Sequence, residues 1–100
     1  MNVEYSKAFV KAVKKLSGKM LQSVRNVVQE VIDADTIDDI TDCRKLTGYD
    51  FVYRIRIGDY RAFFVFHVLI EDDTVKFEYL LPRGEAYGKK NEQNLRQKDK

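Results

Sequence analysis

The sequence has few of the residues that build disulfides, metal centres or reactive thiol sites. Its 100 residues include one cysteine (Cys43), one histidine (His67), one proline (Pro82) and no tryptophan. A single cysteine excludes an internal disulfide, and without a histidine cluster beside it the sequence predicts no metal and no cofactor. Cys43 as a nucleophile would need His67 as its base, so a small, semi-buried side chain is the favoured interpretation.

Long apolar runs are missing as well. No stretch approaches the roughly 18 residues of a membrane-spanning helix. The first residues, Met1 to Tyr5, lack the basic flank and hydrophobic stretch of a secretion signal. We therefore expect a cytoplasmic protein that makes no membrane contact.

The residues that are present are typical of one small domain. The chain is 44% hydrophobic and 34% charged, and six tyrosines and six phenylalanines are enough for a core that contains β-structure. We expect residues 1–88 to form this domain. Residues 89–100 have Leu95 as their single large apolar side chain, which predicts a charged, flexible C-terminal tail.

Charge is unevenly distributed, although the net charge is only +2. Acidic residues concentrate between Glu30 and Asp42, lysines between Lys7 and Lys19, and arginines between Arg54 and Arg61. Such polarity suits a polyanion on one face. By charge alone, ordinary solvated faces remain the favoured interpretation.

The first half of the chain predicts one strand and two helices. Val3 and Tyr5 alternate with polar residues, as in a short strand, and Ser6 suits a helix N-cap. Apolar residues then recur at helical spacing as far as Leu16, and again from residue 19 to about residue 34. An acidic connector follows at residues 35–42, with room for one helical turn.

The second half predicts three strands in hairpin series. Apolar residues alternate at 51–57, 60–66 and 75–81, with turns at Gly58-Asp59 and at residues 71–73, and Pro82 should end the last strand. A two-residue turn at Gly58-Asp59, of type II′, places four pairs opposite each other. These pairs are Ile57 with Tyr60, Arg56 with Arg61, Ile55 with Ala62, and Tyr53 with Phe64. The result is an α+β fold with two helices packed on one face of an antiparallel-rich sheet.

The hairpin register collects arginines on the sheet face opposite the helices. Arg54, Arg56 and Arg61 share this face with Phe63 and Val65, because a shift of one residue would bury the arginines in the core. Adjacent like charges destabilise a sheet, and guanidinium groups suit phosphate, so bound anions would relieve the repulsion. Phe63, and Tyr87 if it lies close, could stack on an unpaired base. Solvent-facing strand residues paired with acids are the equally weighted alternative.

Four sequence segments resemble the RelE/ParE toxin superfamily. They are VEYSK at residues 3–7, KLTGY at 45–49, YRIRIGDYR at 53–61 and RGEAY at 83–87, so that the match in order and spacing spans residues 2–88. The resemblance implies the toxin of a type II toxin–antitoxin system, with a cognate antitoxin, the ribosome and mRNA as partners. RelE-like members cut mRNA in the ribosomal A site, whereas ParE-like members inhibit DNA gyrase.

The resemblance also implies roles for individual residues. Arg54 and Arg56 match basic residues that hold phosphates and take part in acid–base steps, and Arg61 and Arg83 match arginines that stabilise charge on the scissile phosphate. Tyr87 matches a tyrosine that stacks on or orients the cleaved nucleotide. Lys45 is expected to add a phosphate contact at the rim. Glu85 is expected to lie at the RNA-binding site and is a candidate proton acceptor.

One departure from the family pattern concerns proton transfer. Many relatives carry His or Lys directly before the arginine that matches Arg83, but this chain has Pro82, which cannot move a proton. His67 lies too far along its strand from Arg61 to replace it. The general base is therefore unassigned. A ParE-like gyrase inhibitor, or a catalytically inactive protein-binding module with the same fold, stands as the alternative to the mRNA endonuclease.

Overall fold

The computed structural model describes residues 1–66 and 74–99. Their elements are β1 (Asn2–Tyr5), α1 (Lys7–Lys14), α2 (Gly18–Asp33), a 3-10 turn (Ile37–Asp39), β2 (Cys43–Lys45), β3 (Val52–Ile57), β4 (Tyr60–Phe66), β5 (Thr74–Pro82), α3 (Arg83–Ala86) and α4 (Lys89–Lys98). The predicted α+β class and element order are confirmed, with β2, α3 and α4 in addition. His67 and the turn predicted at residues 71–73 lie outside the described residues. None of the helices within the two described ranges is long and apolar enough to cross a bilayer.

The strands form one sheet in the order β1-β5-β4-β3-β2. β1 pairs with β5 in parallel, and the other neighbours are antiparallel. All four predicted pairs of the β3–β4 hairpin are present in the register. Gly58 has a φ of 57° and Asp59 does not share the positive sign, as a type II′ turn requires.

Helices α1 and α2 cover one face of the sheet, as predicted. Phe9, Val24 and Val31 of these helices are at most 2% exposed and pack with Phe64 and Phe77 of the sheet. The Ser6 hydroxyl fixes the start of α1, because it accepts from the Phe9 amide at 3.0 Å and donates to the Glu78 carbonyl at 2.6 Å. This face holds the larger of two apolar clusters.

The other face carries a second apolar cluster beneath the C-terminal helix α4. Leu95 of α4 is 3% exposed and packs with Val52, Phe63 and Val65 of the sheet. The expectation of a flexible tail from residue 89 is therefore wrong for residues 89–98. A helix with one large apolar residue carries no amphipathic repeat, and its position depends on contacts that the local sequence does not show.

Polar contacts join the end of α4 to the loop between β2 and β3. The Asp99 carboxylate accepts from the Asp50 amide at 2.9 and 3.0 Å and from the Phe51 amide at 2.6 Å. Arg96 donates to the Gly48 carbonyl at 3.0 Å, and its guanidinium lies 4.5 Å from the centre of the Tyr49 ring. These contacts tie α4 to the sheet at its C-terminal end.

Candidate functional site

The register of three strands places four arginines on the face opposite α1 and α2. Arg56 lies directly across from Arg61, and Arg54 lies between Phe63 on β4 and Arg44 on β2. Residues directly opposite each other in antiparallel strands point to the same side of a sheet. We call the face that carries Arg44, Arg54, Arg56 and Arg61 the arginine face.

Arg61 is held rigidly at the centre of the arginine face. Its residue is only 6% exposed, and its Nη1 atom donates to the Gly58 carbonyl at 2.7 Å and to the Tyr60 carbonyl at 2.8 Å. Its Nε atom is buried and has no hydrogen-bond partner among residues 1–66 and 74–99. The tight turn at Gly58 thus fixes the Nη1 atom of the guanidinium group, whereas the Nε atom has no partner in the described part of the chain.

Tyr87, which directly follows α3, meets two of these arginines. Its hydroxyl lies close enough to the guanidinium groups of Arg54 and Arg61 for both to favour the phenolate form. Burial alone would raise the pKa of Tyr87, but the hydrogen bonds and positive charges of Arg54 and Arg61 outweigh it and lower this pKa below its usual value. The Nε atom of Arg54, like that of Arg61, is buried with no partner in the described ranges. Two guanidinium groups, of which that of Arg61 is fixed by carbonyl oxygens, therefore lie near one phenol.

Arg56 and Arg83 lie at the edge of this group. Arg56 is exposed and faces Arg61 across the hairpin. Arg83 begins α3, and its amide donates to the Asp59 carbonyl at 2.7 Å, which places its backbone beside the hairpin turn. Both side chains are exposed.

Three of the predicted contact residues are in different environments from those expected. Phe63 is on the arginine face but is 0% exposed beneath α4, so it has no surface with which to stack on a base. Lys45 pairs with Tyr53 and therefore belongs to the opposite face of the sheet. Glu85 lines a cavity of about 390 Å³ together with Lys11 and Lys15 of α1. The predicted stacking of Phe63 on a base is wrong for this arrangement because the ring is buried. The predicted contacts at Lys45 and Glu85 stay predictions.

Arg44 was missed by the sequence reasoning. It precedes Lys45, and both residues are exposed on the short edge strand β2. A strand of three residues has too little alternation to set its own register, so only its pairing with β3 shows that Arg44, rather than Lys45, lies beside Arg54. The alternating charges of β3 were the one available signal.

Cys43 has the character that the sequence predicts. It is half-buried, and burial raises the pKa of its thiol to about 12, with Asp38 and Glu30 adding to the rise and Arg54 opposing it. A thiol of this kind is a poor nucleophile at neutral pH. Among residues 1–66 and 74–99, no three His, Cys, Asp or Glu side chains come together as a metal-binding group would require.

Comparison with known proteins identifies the family. No protein-family model matches the chain. However, it is 31% identical over 88 residues to Toxin RelE3 of Methanocaldococcus jannaschii, in an alignment that covers 87% of this chain and 96% of the relative. The chain belongs to the RelE toxin family.

Solved structures agree with this assignment. The RelB–RelE antitoxin–toxin complex from Methanococcus jannaschii contains a chain with 27% identity and a TM-score of 0.68, covering 84% of this chain and 94% of that one. The RelE–RelB complex from Pyrococcus horikoshii OT3 gives 27% identity and a TM-score of 0.66, with coverage of 85% and 97%. A mutant RelE from E. coli in the free state has the same fold, with a TM-score of 0.70 at 17% identity over 97% of this chain and 95% of that one.

Proposed function

We propose that this RelE-family toxin is a ribosome-dependent endoribonuclease that cuts mRNA and thereby inhibits translation. The observation that carries the proposal is the meeting of Arg54, Arg61 and Tyr87 on the arginine face. Two guanidinium groups there each retain a buried Nε–H group that has no partner among the residues the structure describes. Buried donors normally have partners, so these two suit an anionic ligand such as an RNA phosphate.

The proposed reaction needs stabilisation of negative charge more than any metal or cofactor. The 2′-oxygen of the RNA forms a bond to the adjacent phosphorus while the bond from phosphorus to the 5′-oxygen breaks, leaving a 2′,3′-cyclic phosphate. Charge on the phosphoryl oxygens rises in the transition state, and fixed donors act there without having to reorganise. Arg61 fits this role because two carbonyl groups already fix its guanidinium.

A first test maps cleavage of a model mRNA by primer extension on purified ribosomes. We choose Arg54→Gln as the main variant, because Arg61 is buried and its loss would also affect folding. The rate should fall by about 100- to 1,000-fold, the usual effect of losing one transition-state donor. Lys19→Gln is the matched control, since Lys19 is an exposed cation at the start of α2 and should leave the rate unchanged. Intact mRNA with folded wild-type toxin would refute the nuclease function.

We also propose that a RelB-type antitoxin is the protein partner. A cavity of about 610 Å³ between α1 and α2 is lined by apolar side chains that include Tyr5, Val10 and Ile32, which are 46%, 37% and 41% exposed. Lys14 and Arg25 also line it, so its charge complements an acidic amphipathic segment.

The antitoxin surface is tested by co-purification with the product of the adjacent reading frame. Val10→Asp with Ile32→Asp should weaken the complex at least tenfold, because charges would replace apolar contacts. Arg54→Gln, on the opposite face, tests a separate site. Equal affinity of the double variant and the wild-type toxin would place the antitoxin elsewhere.

A further inference from the structure

A cavity of about 360 Å³ opens beside the arginine face, between α4 and the loop that joins β2 to β3. Tyr87 lines this cavity, and so does Phe63, which lies directly opposite Arg54 in the sheet. Leu46 of the loop and Leu95 of α4 give it apolar walls. A largely apolar cavity with a few polar groups is typical of a site for a small organic group. The cavity thus adjoins the residues that are proposed to hold RNA phosphates.

Asn91 of α4 is a buried polar side chain in the lining of this cavity. The residue is 4% exposed, and its Nδ2 atom donates to the Ala86 carbonyl at 2.6 Å. This bond fixes which way the amide is turned, because an oxygen in the place of Nδ2 could not donate to a carbonyl. The Oδ1 atom is buried and has no partner among residues 1–66 and 74–99. The Nδ2 atom also carries a second hydrogen.

The free oxygen of Asn91 favours a ligand that donates a hydrogen bond. Buried polar groups in native proteins nearly always have a partner, and a buried acceptor without one lowers stability. The polar neighbours in the same lining are directed elsewhere. Arg96 donates to the Gly48 carbonyl, and the Tyr49 hydroxyl donates to the Glu92 carbonyl at 3.4 Å. The cavity therefore offers an acceptor without a partner, beside an amide nitrogen that has a hydrogen to spare.

One edge of adenine matches an amide of this kind. The asparagine oxygen accepts from the N6 amino group while its nitrogen donates to N7, whereas guanine has two acceptors on the same edge and would leave the oxygen unpaired. Bases of single-stranded RNA are commonly bound in this way, splayed out of the strand. Because the Asn91 oxygen is buried, a base reaches it when a side chain at the rim turns aside. Thr47 and Tyr87 also line the cavity, and both are exposed.

We propose that this cavity binds one adenine base of the RNA and that Asn91 selects it, an inference that rests on the proposed binding of RNA to the arginine face. Contacts with phosphates hold a nucleic acid whatever its sequence, and contacts with base edges distinguish one sequence from another. Arg54 and Arg61 supply the first kind of contact and Asn91 supplies the second. Asn91 is then a specificity-determining residue that takes no part in the chemical step.

The test measures binding of short RNA to the full-length toxin by fluorescence anisotropy. Oligouridylates carry a single adenosine at successive positions, with 2′-O-methyl groups that prevent cleavage. Purine riboside, which lacks the N6 amino group, then replaces the adenosine, and guanosine replaces it in a third series. At one position the wild-type toxin should bind adenosine at least about tenfold more tightly than either replacement, as the loss of a paired base contact requires.

Two variants assign that preference to Asn91. Asn91→Leu has a similar volume but no amide, so it should bind all three RNAs with equal affinity. Gln93→Leu is the matched control, because Gln93 is exposed on α4 and does not line the cavity, and it should keep the wild-type preference. Asn91→Leu also removes the donor to the Ala86 carbonyl, so circular dichroism checks its folding. If it does not fold, 7-deazaadenosine decides with the wild-type toxin, since an amide that contacts both N6 and N7 loses affinity for either analogue at the same position.

The other outcomes overturn the proposal. Equal binding of adenosine and purine riboside at every position would mean that water, and no base, meets the Asn91 oxygen. A preference that folded Asn91→Leu retains would place adenine recognition elsewhere. Primer extension on ribosomes separates this result from the nuclease function. Cleavage without a preference in binding refutes the adenine site alone, and a preference in binding without cleavage refutes the nuclease alone. Absence of any RNA binding refutes the adenine site together with the phosphate-binding role of the arginine face.

Discussion

Replacing Leu95 with alanine tests whether the C-terminal helix is part of the folded domain. Leu95 is the one large apolar side chain in the described part of α4, and it is 3% exposed over Val52, Phe63 and Val65. A buried leucine replaced by alanine usually costs about 2 to 5 kcal/mol. We expect about 2 kcal/mol here, because a terminal helix can detach and so limit the cost of the cavity.

That loss is large for a domain of this size. Small domains are stable by about 5 to 15 kcal/mol, and each 1 kcal/mol shifts the melting temperature of a 60- to 100-residue domain by about 4 to 8 °C. The Leu95→Ala variant should therefore melt roughly 8 to 16 °C below the wild-type protein. The measurement is urea and thermal unfolding followed by circular dichroism.

A variant at a more exposed aliphatic side chain is the control for Leu95→Ala. Ile32→Ala, on α2, removes an aliphatic side chain that is 41% exposed, so it should cost less than about 1 kcal/mol. If Leu95→Ala costs no more than Ile32→Ala, then α4 is not packed on the sheet in solution. The originally expected flexible tail would then be the better description.

Three further predictions concern other contacts. Asp99→Asn should weaken three hydrogen bonds from the Asp50 and Phe51 amides. The free energy of unfolding should fall by roughly 1 kcal/mol, and amide hydrogen exchange should increase at those two residues. Unchanged exchange would contradict the contact. Gly58→Ala should lower the free energy of unfolding by about 1 kcal/mol or more, because Gly58 has a φ of 57°, which an alanine adopts with strain. Gly84→Ala is the control: no described atom outside its neighbours lies within 4 Å of the added carbon, so it should be neutral in the same unfolding assay. Burial raises the pKa of the Cys43 thiol to about 12, so this residue should have little thiolate at pH 8. It should react with iodoacetamide at least about 100-fold more slowly than a free cysteine, and should regain reactivity when urea unfolds the protein. A rate equal to that of free cysteine would refute its burial.

The sequence was most informative where side-chain alternation and turn chemistry agreed. The pairs Arg56–Arg61 and Tyr53–Phe64 follow from a two-residue turn at Gly58 and from the need to keep arginines out of the core. Both long helices were predictable because their apolar residues repeat at helical spacing. In these segments, the local pattern is a direct consequence of which face is buried.

The sequence was least informative where position depends on distant partners. The face of Arg44 depends on the pairing of a three-residue strand with β3, and the burial of Phe63 depends on Leu95, which lies 32 positions later in the chain. The contact of Tyr87 with Arg54 and Arg61 likewise joins residues from separate elements. None of these contacts has a periodic signal that a local pattern could reveal.

By itself, the sequence determined the α+β class, the hairpin register and the common face of Arg54, Arg56 and Arg61. These properties follow from spacing along the chain, because strands alternate with a period of two and helices with a period of 3.6. The resemblance to RelE toxins was also visible in the sequence, but in four matching segments and not in their periodicity. Only the tertiary structure decided which arginines meet Tyr87, which aromatic side chains remain accessible and how the last helix packs. Those features depend on which surfaces are brought into contact when the chain folds, so they are fixed by the packing of the sheet and helices as a whole.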